Sequence, residues 1–379
     1  MLKIIRVILV INILKYKVDK YMIGLILILF FISTFALYSA DSINMNIDGI
    51  VTKQIMWYFF GFLILFSILY IGNKVITDNV SFLYIICNVF LLLLLLIGPV
   101  INNARCWFRI PGLGTIQVSE FAKIILILML SKFLGKVRYK GNLKYELKII
   151  GISLLLLFIP SVLTFLEPDT GAVLMYFIIV LSMLFFLQLR ARWYILAILI
   201  VSSVVLFITY IYFNDIDLFV KILGNDFFLR IERLTSWVNK EGMQLENGIT
   251  AIAIGGLMGT GFNNNSVYFP EAHTDFIFAT IASNFGFIGS LFLIVILILF
   301  DLRLLYYVSC TNKKSEKLIV IGVLSVLFYQ QAQNIGMTFG LLPITGITLP
   351  FISYGGSSLI SYMIMVGICM NIAKSKYKN

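Results

Sequence analysis

Proton transfer beside a sugar or a phosphate needs carboxylates, cations and hydroxyls close together, and this chain concentrates them in five short stretches. They are "NNARCWFRIPGLGTIQVSEFAK" (102–123), "EPDTG" (167–171), "ENGITAIAIGGLMGTGF" (246–262), "PEAHTDF" (270–276) and "LLPITGITLPFISYGGSSL" (341–359). Together they supply the carboxylates Glu120, Glu167, Asp169 and Asp275, the basic groups Arg105, Arg109, Lys123 and His273, the hydroxyls of Ser353, Ser357 and Ser358, and the indole of Trp107. That set suits a polar, phosphate-bearing substrate, with a carboxylate to take a proton and cations to clamp a phosphate. With a single histidine in the whole chain, a His-rich or Cys-rich metal site is excluded. A divalent cation, Mg or Mn, fits the chemistry of a pyrophosphate, but no spacing of carboxylates marks ligands for it.

The elements that must position these residues are set by composition. Hydrophobic residues make up 60% of the 379, charged residues 12%, and the mean hydropathy is +1.00, far outside what a soluble core requires. Ten apolar segments, at about 22–39, 54–72, 80–100, 116–134, 148–166, 171–188, 193–213, 274–300, 318–341 and 355–373, are each near the length that crosses a bilayer. In hydrocarbon a segment must satisfy its own backbone hydrogen bonds, so these are helices and the fold is an all-α, polytopic membrane protein. No internal repeat or second domain is visible, and residues 1–379 read as one domain. Within it, 214–273 is too long for a plain connector and reads as an outer cap, with "FFLRIERLTSWV" (227–238) at helical spacing as an amphipathic surface helix.

Sidedness follows from the basic residues. The N-terminal tail, the even-numbered loops and the C-terminal tail carry 20 of the 29 Lys and Arg, whereas the alternate loops hold only Lys53, Arg105, Arg109, Lys221, Arg230, Arg233 and Lys240. Both termini are therefore expected in the cytoplasm, and the five polar stretches at the outer face. The net charge of +11 reflects this topology and a fit to anionic membrane lipids, and no basic and aromatic interleaving points to nucleic acid. Residues 1–14 resemble a signal sequence only faintly and are expected to be retained as a tail or interfacial helix. Cys87, Cys106, Cys310 and Cys369 fall in helices and on opposite sides of the membrane, which argues against a disulfide framework.

"ARCWF", "QVSEFAKI", "EPDTG", "PEAHTDFIFA" and "NIGMTFGLLPITGITLPFISYGGSSL" occur in the order and spacing of one family. The chain resembles the SEDS family (shape, elongation, division and sporulation) of RodA, FtsW and SpoVE over nearly its whole length, and "NIGM" leans toward the RodA side. The resemblance implies a ten-helix peptidoglycan glycosyltransferase in the bacterial cytoplasmic membrane that polymerises lipid II into a growing glycan strand at the outer face. It also implies a class B penicillin-binding protein as partner, supplying the transpeptidase; "SKYK" (375–378) matches S-x-x-K only by accident. The rival readings are a lipid II flippase, which needs a polar path to the cytoplasmic leaflet that the sequence does not display, and a non-catalytic scaffold for the transpeptidase.

Within the resemblance Asp169 is the catalytic residue, removing a proton from the GlcNAc 4-hydroxyl as it attacks the MurNAc anomeric carbon and displaces undecaprenyl pyrophosphate with inversion. On the residues alone, Asp169 reads equally as the cap of the sixth span, with Pro168 in the first turn. Glu167 stands where the family commonly has Gln, and its charge would raise the proton affinity of its neighbour. Glu120 and Lys123, in a "QPSEFAK"-like motif with Val118 in place of Pro, read as an ion pair joining helices or as support for Asp169 and contact to substrate. Arg105 is the better pyrophosphate clamp, with Arg109 weaker and Trp107 between them. His273 and Asp275 read as a helix start with Thr274 or Asp275 near the cap, and secondarily as substrate contacts. Ser353, Ser357 and Ser358 suit sugar or phosphate hydrogen bonds. Gly255, Gly256, Gly259 and Gly261 read as backbone donors for phosphate or as a flexible turn. Ser283, Asn284 and Thr260 depart from the charged residues common in relatives.

Overall fold

The computed structural model describes residues 18–43, 49–100, 104–110, 114–137, 142–238, 242–264 and 267–374. The segment 1–14 and "SKYK" at 375–378 lie outside them. The helices are α1 (Lys20–Ile43), α2 (Ile50–Ile71), α3 (Asn73–Asp78), α4 (Val80–Ile97), α5 (Val118–Leu134), α6 (Leu143–Leu166), α7 (Thr170–Phe186), α8 (Ala191–Asn214), α9 (Ile216–Leu223), α10 (Asn225–Val238), α11 (Met243–Gly255), α12 (Ile277–Ser309), α13 (Lys314–Thr338) and α14 (Gly356–Lys374). Every one of the ten predicted spans coincides with a helix, and eight of the described helices are long and apolar enough to cross a membrane. The other two, α5 and α7, have 17 residues each. In α5 three charged side chains, Glu120, Lys123 and Lys132, interrupt the apolar run.

Two features were not legible beforehand. An antiparallel hairpin, β1 (Trp107–Ile110) and β2 (Gly114–Gln117), precedes α5, with Trp107 opposite Gln117 and Arg109 opposite Thr115. Its aromatic and β-branched residues favour a pleated ribbon, and it delivers the chain to α5 two residues later than the apolar pattern suggested. Secondly, α12 runs nine residues beyond the predicted 300, and within that extension Arg303 has an ion-pair partner in Asp19, 2.7 Å away.

The bundle is layered from inside out. At the centre α13 packs against α5, α7 and α12, while α14 rests along α2; the most apolar stretches of α13 and α14 are 61% and 67% buried. At the periphery α8 has only 6% of its apolar window buried, which leaves it for lipid to cover. The long connection forms α9, α10 and α11, with the predicted 227–238 stretch inside α10. Trp237 Nε1 donates to the Gly340 carbonyl at 3.0 Å and so anchors α10 to the end of α13.

α11 meets α12 through backbone contact. Gly286 interrupts α12 with φ 64° and ψ −160°, a conformation open to glycine, and a Cβ there would collide with the Gly259 nitrogen and the Leu257 carbonyl. The turn after α11 docks on this break through Thr260 N to Ser283 O (2.9 Å), Gly261 N to Asn284 O (3.2 Å) and Phe287 N to Gly256 O (2.9 Å). The glycines of "GGLMGTG" thus serve backbone approach, and the amides of Thr260 and Gly261 are already committed to α12. The departures fit the same joint: Asn284 Oδ1 accepts from Ser39 Oγ at 3.0 Å, and Thr260 Oγ1 donates to Asn264 O at 2.7 Å.

Candidate active site

Three turns meet at the end of the bundle that holds the five polar stretches. The first joins α6 to α7. Asp169 is the N-cap of α7, with Oδ1 accepting from the Ala172 amide at 3.0 Å. Its other oxygen accepts from Gln117 Nε2 and from Ser119 Oγ, both at 2.8 Å. Pro168 lies before this cap, one position short of the first helical turn, because the carboxylate itself takes the capping place. Three donors therefore fix the carboxylate, two of them from the junction of β2 with α5.

Glu167 closes α6 and is fully buried, and neither of its carboxyl oxygens has a hydrogen-bond partner among the described residues. Burial, and secondarily the charge of Asp169, push its carboxyl up to about 8. A carboxyl without donors in a dry site favours its protonated form. The Glu167 carbonyl accepts from Cys106 Sγ at 2.7 Å, which fastens the strand before the hairpin to this turn.

Beneath Asp169 lies the ion pair. Lys123 Nζ is 2.8 Å from Glu120 Oε2, with the lysine fully buried. Ser361 Oγ of α14 donates to the same oxygen at 3.0 Å, Lys123 Nζ stands 3.6 Å from Met175 Sδ of α7, and it faces the Tyr362 ring at 6.0 Å. The pair braces α5, α7 and α14 directly below the first turn.

The second turn precedes α12. Thr274 and Asp275 lie just before the helix start, near the cap as the sequence suggested, but neither side chain caps it: the N-cap is Phe276 without a side-chain bond, and Thr274 Oγ1 donates to Glu271 Oε2 at 2.6 Å. That leaves Asp275 unspent. Its backbone carbonyl accepts from Asn334 Nδ2 at 2.9 Å, but its half-buried carboxylate accepts no bond from any described residue. Desolvation and the neighbouring Glu271 raise it to about 7. His273 is nearly buried, its ring 6.1 Å from that of Tyr354. Burial lowers its proton affinity against the pull of Glu271 and Asp41, so the imidazole is neutral at pH 7.

The third turn is the extended segment 343–349, and it joins the other two. A Cβ on Gly171 would stand 3.2 Å from Ile347 and from the Thr345 carbonyl, and one on Gly346 would stand 3.6 Å from Asp275 Oδ2. Asn334 Nδ2 also donates to the Ile347 carbonyl at 2.8 Å, so one amide ties the Asp275 turn to this segment. The α7 start and the Asp275 carboxylate thus flank the same three residues.

The serines of "ISYGGSS" have partners within the fold. Ser353 Oγ donates to Thr274 O at 2.6 Å, Ser357 Oγ accepts from the Gln117 amide at 3.0 Å, and Ser358 Oγ donates to Gly355 O at 3.2 Å. Arg105 is exposed and donates to the Leu95 carbonyl near the end of α4 at 3.0 Å. Trp107 lies opposite Gln117, which brings it alongside a donor to Asp169. Gln117, Ser119, Ser361 and Asn334 were not singled out from the sequence. Gln117 and Ser119 sit in "QVSEFAK" beside two residues that were, and that proximity was the available signal. Among the described residues no group of three or more His, Cys, Asp or Glu side chains gathers to hold a metal ion.

A polytopic helical membrane protein, with its reactive side chains gathered at one end of the bundle, is the class that the fold and this site define. The chain belongs to the FtsW, RodA and SpoVE family of cell cycle proteins, whose profile matches residues 18–378. It is 31% identical over 368 residues to the peptidoglycan glycosyltransferase MrdB of Escherichia coli, with 94% of each chain covered. It is 36% identical over 301 residues to a protein of Coxiella burnetii named "Probable peptidoglycan glycosyltransferase FtsW", covering 75% of this chain and 76% of that one. The fold matches a chain of a peptidoglycan synthase complex that coordinates polymerization and crosslinking (TM-score 0.77, 24% identity, 96% of this chain and 99% of that chain). It also matches the rod shape determining protein RodA of Thermus thermophilus (TM-score 0.70, 23% identity, the same coverage).

Proposed function

We propose that this protein is a peptidoglycan glycosyltransferase that polymerises lipid II at the outer face of the cytoplasmic membrane, in a cleft open to the outer leaflet, alongside a class B penicillin-binding protein. The family membership across nearly the whole chain supports the activity, and the excess of Lys and Arg in the N-terminal tail, the even-numbered loops and the C-terminal tail supports the sidedness. In the reaction the 4-hydroxyl of GlcNAc forms a bond to C1 of MurNAc, the C1 to pyrophosphate bond breaks, and the hydroxyl proton passes to a carboxylate. Direct displacement inverts C1 and needs no covalent sugar intermediate.

The base is assigned by the state of the two aspartates. A base needs an accessible lone pair and a proton affinity near the working pH. Asp275 supplies both: its carboxylate has no hydrogen-bond partner among the described residues, and it is raised to about 7. This one observation carries the assignment of Asp275 as base. Asp169, the residue that the family resemblance points to, remains the second reading; it requires Gln117 or Ser119 to release an oxygen when substrate enters. With Asp275 as base, Asp169 holds the α5 and α7 ends in register, and Arg105 and Trp107 on the hairpin side face the pyrophosphate. Labelled lipid II with the purified protein tests the proposal. Polymer from the wild type, lost in Asp275→Asn and retained in part in Asp169→Asn, is the expected result. Polymer unaffected by both substitutions overturns both aspartates as base, no polymer from the wild type overturns the enzymatic reading, and transbilayer movement of lipid II without polymer favours the flippase.

A further inference from the structure

The turn that carries Asp275 is held from one side by the loop 349–354. Tyr354 N donates to the His273 carbonyl at 2.9 Å, and Ser353 Oγ donates to the Thr274 carbonyl at 2.6 Å. The two carbonyls before Asp275 are therefore both engaged by this loop. Ser353 Oγ also accepts from the Leu349 amide at 2.8 Å, which fixes the direction in which the hydroxyl donates.

The loop is in turn clamped by α1 and α2. Ser33 Oγ of α1 donates to the Ile352 carbonyl at 2.7 Å, and Tyr58 OH of α2 donates to the Phe351 carbonyl. Gln54 Nε2 of α2 donates both to Ser33 Oγ and to the Ser353 carbonyl, each at 3.2 Å. The carbonyls of 351, 352 and 353 thus each accept from a helix side chain, and Gln54 joins the two helices to the last of them. Gln54 and Ser33 are fully buried and Tyr58 nearly so. Polar side chains this deep in an apolar bundle are retained where their bonds hold something in place.

What they hold is strained backbone. Phe351 has φ 64°, and Glu271, at the foot of the Asp275 turn, has φ 56°, a left-handed conformation that a residue with a Cβ adopts at a cost. Such residues persist where their neighbours over-determine them, and they gather near sites of function. The Phe351 ring is packed between Phe300 (5.2 Å) and Tyr362 (5.4 Å), and the Glu271 carbonyl accepts from the Thr274 and Phe276 amides, both at 3.1 Å. A loop bent in this way relaxes when its carbonyls lose their donors.

We propose that Gln54 is a positioning residue for the glycosyl transfer, setting the place of the Asp275 carboxylate through Ser353 and Thr274, with Ser33 and Tyr58 as supports. The role rests on the reading of Asp275 as base. The path is short: Gln54 Nε2 to the Ser353 carbonyl, Ser353 Oγ to the Thr274 carbonyl, and one peptide bond to Asp275. With the amide in place the carboxylate stays beside Gly346; without it the turn loosens and water reaches the acid.

Polymerisation of labelled lipid II across a range of pH tests this in Gln54→Met, which keeps the volume and removes the amide. The variant loses about tenfold to a hundredfold in kcat, the scale of a misplaced group, while KM for lipid II is unchanged because Gln54 is fully buried. Its kcat/KM inflection moves down from about 7 toward the ordinary carboxylate range, since hydration removes the main cause of the rise. Ser33→Ala removes the Ile352 bond and leaves Gln54 its bond to Ser353, so it shifts kcat and the inflection in the same direction by less; it gives the reading should Gln54→Met fail to fold. Tyr84→Phe is the control: it removes the bond from Tyr84 OH to the Leu156 carbonyl (2.7 Å) between α4 and α6, lowers the melting temperature, and leaves kcat and the inflection as in the wild type. An unchanged kcat and inflection in both Gln54→Met and Ser33→Ala overturn the positioning role while Asp275 stays the base. A kcat loss with the inflection still near 7, matched by Tyr84→Phe, is an effect on the fold alone and overturns it as well. Activity that survives Asp275→Asn overturns the base assignment itself, and the role of Gln54 with it.

Discussion

The turns 167–170 and 271–276 are both short, both carry two carboxylates, and both precede a helix at the same end of the bundle, yet they spend their acids in opposite ways. In the first, Asp169 is consumed by the fold: three donors from Ala172, Gln117 and Ser119 hold it. In the second, Glu271 takes the local hydrogen bond from Thr274, and Asp275 is left with both carboxyl oxygens unengaged by described residues. A carboxylate saturated by donors makes a good joint, and one held apart in a desolvated pocket makes a good base. Position beside a helix start does not decide which a residue becomes; the neighbours that reach it do.

The largest expected effect breaks this comparison directly. Asp275→Asn should lower polymerisation by about 10²- to 10⁴-fold, the usual weight of a general base, with little change in melting temperature, because the carboxylate holds nothing together. Asp169→Asn keeps a capping oxygen but turns a donor toward Gln117 and Ser119, so it should reduce activity about tenfold and lower the melting temperature as well. The opposite ranking in a lipid II assay returns the base to Asp169. The pH profile sharpens the same point: a base raised to about 7 is protonated and idle below that pH, so kcat/KM should climb as pH rises through about 7 and level off above it. A profile flat from pH 5 to 9 excludes Asp275 from the proton transfer.

Next in size is the brace beneath the first turn. Lys123 is wholly inside the protein, and its ion pair with Glu120 is shared with Ser361. Lys123→Met leaves Glu120 buried without its counter-charge and should cost about 3–5 kcal/mol, whereas Glu120→Gln combined with Lys123→Met removes both charges and should recover most of that. Thermal unfolding in detergent measures both. If the double variant is no better than the single, the pair is worth more than its mutual neutralisation and Lys123 has a further partner in catalysis.

How far the sequence could foretell this depends on the range of the interaction. Apolar runs are local, and each of the ten predicted spans coincides with a helix, with α12 the one that runs well past its predicted end. The candidate site residues Glu120, Lys123, Glu167, Asp169 and Asp275 stood out because charge in an apolar chain is conspicuous. Their roles were not, because roles depend on partners far along the chain: Asp169 and Ser119 are 50 residues apart, and Ser357 and Gln117 are 240 apart. The hairpin 107–117 was hidden for a different reason, since four-residue strands leave too short a pattern to stand out beside helices of eighteen or more. The glycines of "GGLMGTG" misled most, because glycine allows both phosphate binding and backbone packing, and only the position of α12 decides between them.

Glu167 offers the finest division between the two turns. Its ordinary value is 4.5, and burial with the nearby Asp169 charge moves it to about 8 in the folded protein. Between those pH values the folded chain keeps a proton that the unfolded chain has released, so stability falls as pH rises from about 4.5 to about 8 and is constant beyond. Below 4.5 both states hold the proton and no penalty exists. Glu167→Gln carries no titrating group and lacks this fall, so it should match the wild type near pH 4.5 and exceed it at pH 9, by an amount on the order of 1–3 kcal/mol for a buried group without partners. Melting curves across that range read the difference, and parallel curves for the two proteins show that the acid is solvated after all. Because part of the shift comes from Asp169, the advantage of Glu167→Gln should shrink in an Asp169→Asn background and stay unchanged in an Asp275→Asn background. A double-mutant cycle with that outcome makes the first turn a single electrostatic unit from which Asp275 is independent.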